Sequence, residues 1–162
     1  MQKIKKYIVA LMVFVIIGVG FPSDVKADRL QEGGIICEGS ELTQEKTSTV
    51  ILENSAKGNI LNKGLASVTD NGNGIVNVSG TVYGSVVCDK MILEMTLQRY
   101  SNGAWINVKT FSDTAYNTGL LTKSYNVKVA KGYYYRVKAA CIAQKNGVSE
   151  SRMPVTNGIL ID

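Results

Sequence analysis

Along residues 91–100, apolar and polar side chains alternate with a period of two. Met91, Leu93, Met95 and Leu97 fall on one face, and Glu94, Thr96 and Gln98 on the other. That rhythm is the signature of a half-buried β-strand. The pattern turns at Asn102-Gly103 and resumes in WINVKTF. There Ile106 and Val108 point one way, and Trp105, Lys109 and Phe111 the other. In SYNVKV the inward set is Tyr125, Val127 and Val129. In YYYRVKAAC it is Tyr133, Tyr135, Val137, Ala139 and Cys141, leaving Tyr134, Arg136, Lys138 and Ala140 outward. Two of the three consecutive tyrosines should therefore face the core, their hydroxyls reaching partners at its rim. This strand ends at Gln144, turns at Asn146-Gly147 and returns through Val148 to Arg152.

Turn signals recur from residue 59 onward. They are Asn62-Lys63-Gly64, Asn71-Gly72-Asn73-Gly74, Asp89-Lys90, Ser101-Asn102-Gly103, Asn117-Thr118-Gly119, Lys131-Gly132, Asn146-Gly147 and Asn157-Gly158. Asn-Gly suits the tight hairpin whose two central residues both need positive φ. Short segments rich in Val, Ile, Thr and Tyr separate these signals. The pattern predicts an all-β fold, a single antiparallel β-sandwich of about seven strands over residues 59–162.

The N-terminal segment reads differently. Lys3, Lys5 and Lys6 precede an uncharged run from Ile8 to Phe21, followed by Pro22 and Val25-Lys26-Ala27. This is the layout of a helical secretory signal peptide over residues 1–27, cleaved between Ala27 and Asp28. The apolar run is shorter than a bilayer span of about 20 residues, so no stable membrane anchor is expected after processing. The product is expected outside the cell. Residues 28–58 form a polar, loosely ordered arm with apolar islands at Ile35-Ile36 and Val50-Ile51-Leu52, the second suited to an edge strand.

Processing changes the charge. The whole chain has 18 Lys and Arg against 13 Asp and Glu. Four of these bases (Lys3, Lys5, Lys6, Lys26) and one acid (Asp24) leave with the signal, so 14 bases face 12 acids. Residues 28–74 carry four bases and seven acids, whereas residues 75–162 carry ten and five. A mildly basic β region behind an acidic arm is compatible with attraction to an anionic cell-wall polymer. It lacks the dense basic stripe of a nucleic-acid partner.

The three cysteines, Cys37, Cys88 and Cys141, all lie in the expected mature part. An odd count leaves at most one pair and one free or intermolecular thiol. Strand-like context favours a Cys88–Cys141 disulfide, with Cys37 as the remaining thiol. The alternative is a pair of buried, unbonded cysteines packing as small hydrophobes.

Trp105, Tyr133-x-Tyr135-Arg136-Val137-x-Ala139 and Asn146-Gly147-x-Ser149-Glu150-Ser151 together resemble later strands of fibronectin type III and immunoglobulin-like domains. The chain departs from the true immunoglobulin pattern at Ala139, where that family has a tyrosine two residues before its second cysteine. Residues 60–162 also resemble a group of small secreted proteins of unknown function from Gram-positive, mainly clostridial, bacteria. The resemblance rests on Cys88-Asp89, Leu97-x-Arg99 to Trp105, Tyr116-Asn117-Thr118 and Ser124-Tyr125 through Val137. It implies a secreted β-sandwich and no particular activity.

The chain contains no histidine. That removes Ser-His-Asp and Cys-His catalysis and histidine metal ligation. Three scattered cysteines lack zinc spacing, and no phosphate-binding glycine loop is present. The β region offers Asp70, Asp89, Glu94, Asp113 and Glu150 as acids for a hydrolase, but alternation and turns place them outward or at strand ends. No enzymatic activity, cofactor or metal is expected. Asp70-Asn71-Gly72-Asn73-Gly74 spaces oxygen-bearing side chains like the start of a calcium loop, but no carboxylate follows at the required distance. Tyr100, Trp105, Tyr116 and Tyr134, with Arg136 and Lys138, are the candidate binding residues. Aromatic faces stack on sugar rings while polar neighbours bond their hydroxyls. A cell-surface glycan or protein is thus the expected partner class. A secreted toxin or bacteriocin-like antagonist is the alternative, and Gly33-Gly34 the candidate site for its further processing.

Overall fold

The computed structural model describes residues 41–54 and 60–162. The predicted signal peptide, its Ala27–Asp28 cleavage point and Cys37 lie outside the described residues. The described part is all-β, with no helix. Its strands are β1 (Leu42–Thr43), β2 (Thr47–Glu53), β3 (Leu61–Asp70), β4 (Ile75–Ser101), β5 (Ala104–Lys128), β6 (Tyr133–Lys145), β7 (Val148–Arg152) and β8 (Gly158–Ile161). They form one eight-stranded sheet in the order β1-β8-β6-β4-β3-β2, with β5 on β4 and β7 on β6. The island at residues 50–52 lies in β2, which pairs with β3 along its whole length and ends the sheet path.

The frame is a hairpin of unusual length. β4 has 27 residues and β5 has 25, against a usual strand of about five or six. β5 follows one edge of β4, while the other edge changes partner. Residues Val76–Gly84 of β4 pair with β3, and Lys90–Arg99 pair with β6. At the changeover, Tyr83 pairs with Leu120 and Cys88 with Thr118. Gly84 to Val87 therefore stand opposite Gly119 alone. Asn117 adopts a left-handed φ of 50° at the same point. Such an insertion bends a strand pair sharply, and the sheet curls so that its two halves face each other.

The alternation read from sequence sets the inner faces. Val68, Val76, Val78 and Val82 come from one half, and Met91, Leu93, Met95, Leu97, Val137, Ala139 and Cys141 from the other, all essentially buried. β3 and β6 share no ladder, yet they touch across the interior. A Cβ on Gly64 of β3 would stand 2.8 Å from both Cβ and Sγ of Cys141. A Cβ on Gly80 would stand 2.8 Å from Met95 Sδ. These glycines make room for the opposite layer. Phe111 and Tyr125, both on β5, stack at 4.3 Å across the bend. Tyr125 also donates from its hydroxyl to Asp113, at 2.8 Å to Oδ2.

Several sequence expectations need correction. Asn102-Gly103 and Asn146-Gly147 do make hairpin turns, with φ of 51° and 79°, and of 49° and 77°. Asn62-Lys63-Gly64, by contrast, lies inside β3, Asp89-Lys90 inside β4, Asn117-Thr118-Gly119 inside β5, and Gly158 opens β8. Gly64 serves the close approach to Cys141. Gly158 serves Trp105, whose Cη2 lies 2.6 Å from where a Cβ would be. Trp105 and Phe111 do not share a face. Gln98 pairs with Asn107 and Leu97 with Lys109, so Val108 is an extra residue that flips the alternation. Tyr135 is buried, its hydroxyl donating to Ala130 O at 2.8 Å. Tyr133, the first residue of β6, is 39% exposed, with the Arg99 guanidinium over its ring at 4.6 Å.

The expected Cys88–Cys141 disulfide is not formed; both thiols are free and buried. Cys141 pairs with Leu93, five residues along β4 from Cys88. At about 3.3 Å per residue the two cysteines stand roughly 16 Å apart along the strand, far beyond the roughly 7 Å limit for a disulfide. The Cys88 Sγ instead donates to Val86 O at 3.4 Å, and that of Cys141 to Thr81 O at 3.6 Å. Burial pushes the Cys141 thiol pKa up to about 12.

Candidate recognition face

The outward residues of β4, β5 and β6 build one solvent-facing surface. Cross-strand register places Tyr100 beside Trp105, Gln98 beside both Asn107 and Arg136, and Thr96 beside both Thr110 and Lys138. Directly opposed residues point to the same side, so the strands place these groups without help from any loop.

Trp105 is half-buried and does not present a bare ring. The Arg136 guanidinium lies over it at 4.2 Å, and Tyr100 meets it at 5.2 Å with a 56° tilt. Its far edge rests against Gly158. Arg136 Nε donates to Gln98 Oε1 at 2.8 Å, and Gln98 Nε2 donates to Asn107 Oδ1 at 2.8 Å. Stacking on one side and an oriented amide on the other hold the guanidinium plane. Thr96 and Thr110 hydroxyls bond at 3.0 Å in the next row.

Beside this relay lies a shallow depression of about 240 Å³. Its floor and walls come from Glu94, Thr96, Gln98, Asn107, Lys138 and Met153, with Ala139 and Ala140 beneath. The lining is amide, hydroxyl and charge, with a small apolar floor. Such a surface can exchange hydrogen bonds with a hydroxylated ligand and provides little apolar burial.

The candidate binding residues distribute as follows. Tyr100, Trp105, Arg136 and Lys138 converge here. Tyr134 shares the outward side of β6, and its hydroxyl accepts from Gln44 Nε2 at 3.1 Å. Tyr116 does not join them. It pairs with Lys90, ten residues along β4 from Tyr100, roughly 33 Å at strand rise. There it is 65% exposed, with Lys90 Nζ 6.0 Å from its ring. The expected row of stacking tyrosines is thus broken up, and the face is more polar than its aromatic content implies. Gln98, Thr96 and Asn107 join the face although the sequence does not single them out as binding groups. The first two share the outward parity of Tyr100, which is the signal that could find them. Met153 follows β7 outside any periodic segment and leaves none.

The acids considered for hydrolysis are dispersed. Asp113 accepts from Tyr125 and faces Lys123 Nζ at 3.6 Å. Glu150 Oε2 accepts from Leu61 N at 2.8 Å, Ile60 N at 3.3 Å and Asn54 Nδ2 at 3.1 Å. Asp89 Oδ2 accepts from Asn146 N at 2.7 Å, and Asp70 Oδ1 from Gly72 N at 2.8 Å. Glu94 alone of the five lines the depression. The Asp70–Gly74 stretch makes the β3–β4 turn, Ile75 N donating to Gly72 O at 2.9 Å. Among the described residues, no group of three or more His, Cys, Asp or Glu could hold a metal ion. No helix there is long and apolar enough to cross a membrane.

Comparison with models of known protein families finds no match, and comparison with curated proteins finds none either.

Proposed function

We propose that the protein is an exported, non-catalytic recognition module that binds a surface glycan or a glycosylated protein through the outward face of β4, β5 and β6. One observation carries this reading. Four of the six candidate residues meet around an oriented Trp105–Arg136–Gln98–Asn107 relay, beside a polar depression of about 240 Å³. Polar groups fixed by a rigid sheet suit a ligand rich in hydroxyls, because their order is already in place before binding.

Export rests on the N-terminal sequence, and the extracellular setting follows from it. The two facing halves of the curled sheet are proposed to be a variant of the immunoglobulin or fibronectin type III sandwich. The resemblance to small secreted clostridial proteins agrees with both proposals. Recognition is tested by glycan-array and peptidoglycan pull-down assays with the secreted protein and its Gln98→Ala, Trp105→Ala and Tyr134→Ala variants. Binding is expected to fall with Gln98→Ala and Trp105→Ala. Undiminished binding by both would remove the face from the reading.

A further inference from the structure

Five of the ten large apolar side chains exposed among the described residues sit at the bend of the long hairpin. Val86 and Val87 belong to the insertion opposite Gly119, and Tyr116 and Leu120 flank that glycine on β5. Leu120 pairs with Tyr83 in one half of the curled sheet, and Tyr116 with Lys90 in the other. The apolar surface therefore runs around the outside of the bend. Val148 joins it from the β6–β7 hairpin. Its cross-strand partner is Lys145, whose Nζ donates to Val87 O.

Two features set this knuckle apart from scattered surface valines. Its main chain is satisfied from within. Ser85 N donates to Ile60 O at 2.8 Å, and Val86 O accepts from Cys88 Sγ at 3.4 Å. The Thr118 hydroxyl donates to Leu120 O at 3.0 Å and accepts from Leu120 N at 3.2 Å. Polar groups closed in this way leave water at far lower cost than open ones. Three ammonium groups also form a collar around it. Lys63 Nζ lies 4.8 Å from the centre of the Tyr83 ring and Lys90 Nζ 6.0 Å from that of Tyr116, while Lys145 Nζ sits on Val87 O. The neighbouring acids are turned elsewhere or lie further out. Asp89 accepts from Asn146 N, Glu150 accepts from the Ile60 and Leu61 amides, and Glu53 lies across Lys63 on the side away from Tyr83. Lysine stems lie along apolar surface while their heads reach anionic headgroups. Five side chains on a convex bend are too few for a stable protein partner, which takes roughly 20–30 residues a side.

We propose that this knuckle seats in the surface of an anionic lipid bilayer. Val86, Val87, Leu120 and Val148 enter the boundary between headgroups and acyl chains, and Tyr116 lies at headgroup level. Lys63, Lys90 and Lys145 pair with lipid phosphates. The contact is peripheral and does not depend on the recognition face, which it leaves open to solvent.

The test is co-sedimentation of the secreted protein with vesicles of phosphatidylglycerol and phosphatidylcholine, 1:1, and of phosphatidylcholine alone. Binding to the anionic vesicles is expected to be at least tenfold tighter and to weaken as salt rises. The double variant Val86→Ser, Val87→Ser should bind roughly tenfold more weakly. Lys63→Gln and Lys90→Gln should each lose about fivefold. All four side chains reach the surface, so unchanged melting temperatures separate a binding defect from a folding one. Wild-type emission comes from Trp105 alone, since the chain has one tryptophan. The added emission of Tyr116→Trp should be quenched by acyl-brominated lipid while that of Trp105 is not. Absence of vesicle binding overturns the proposal, as does equal affinity for neutral and anionic vesicles. Anionic binding that the valine and lysine variants leave untouched overturns its placement. Self-association in sedimentation equilibrium that the double valine variant abolishes would assign the knuckle to a second copy of the chain and overturn the bilayer. Each result leaves the glycan assays to decide the recognition face separately.

Discussion

Gly64→Ala probes whether the two halves of the sheet press together as closely as described. Gly64 lies within β3, and Cys141 lies in β6 across the interior. The added methyl would stand 2.8 Å from Cys141 Cβ and Sγ and 3.3 Å from Arg152 Cβ. A Cβ atom cannot rotate away, because it is fixed to the backbone, so strand must move from strand. Overpacking of this kind costs about 1–3 kcal/mol. Alanine also restricts the unfolded chain, which returns about 0.4–1 kcal/mol. The net expectation is a loss of about 1–2 kcal/mol, or roughly 3–10 °C in melting temperature for a domain of this size. Urea and thermal unfolding followed by circular dichroism measure it. The reciprocal change, Cys141→Gly, removes the atoms in conflict. The double variant should be at least about 1 kcal/mol more stable than the two separate losses predict, since the residues touch. A neutral or stabilising Gly64→Ala, with additive behaviour in the double variant, would refute the close contact between layers.

Two further outcomes follow from buried polar groups. The unfolded Cys141 thiol titrates near 9, and burial raises the folded value to about 12. Between those values the unfolded chain has lost the proton and the folded chain keeps it. This group's contribution is therefore complete below pH 9 and declines as pH rises, at up to about 1.4 kcal/mol per unit. Urea titrations of wild type and Cys141→Ala from pH 8 to 11 should show the steeper decline in wild type; parallel curves would exclude the effect. Glu150→Ala leaves the amides of the buried Ile60 and Leu61 without their carboxylate acceptor. It should cost about 1–3 kcal/mol, measured by chemical denaturation, while Glu150→Gln recovers part of that loss by keeping one carbonyl acceptor.

The fold was legible where side chains obey a single period. Met91 to Leu97 and Tyr135 to Cys141 alternate cleanly, and both segments line the core as expected. The Asn-Gly steps at residues 102 and 146 mark the hairpins because positive φ is a local demand of the backbone. Glycine elsewhere is misleading. At Gly64 and Gly158 it answers a contact from another strand, which no local window contains. Val108 shows a related limit. One residue inserted into β5 reverses the face of everything beyond it, and nothing in WINVKTF marks the insertion. The site was legible in part. Arg136 and Lys138 are visible as outward cations, but the meeting of Arg136 with Trp105 depends on register across β4, which joins residues far apart in sequence.

Among the described residues, the long hairpin leaves no seam between the two halves of the sheet. β4 and β5 each contribute to both facing layers, so neither layer owns a complete set of strands. A cut through β4 or β5 takes strand from both layers at once, and loosening either layer pulls on the spine of the other. Melting should accordingly occur as one event, with probes placed in different layers reporting the same midpoint.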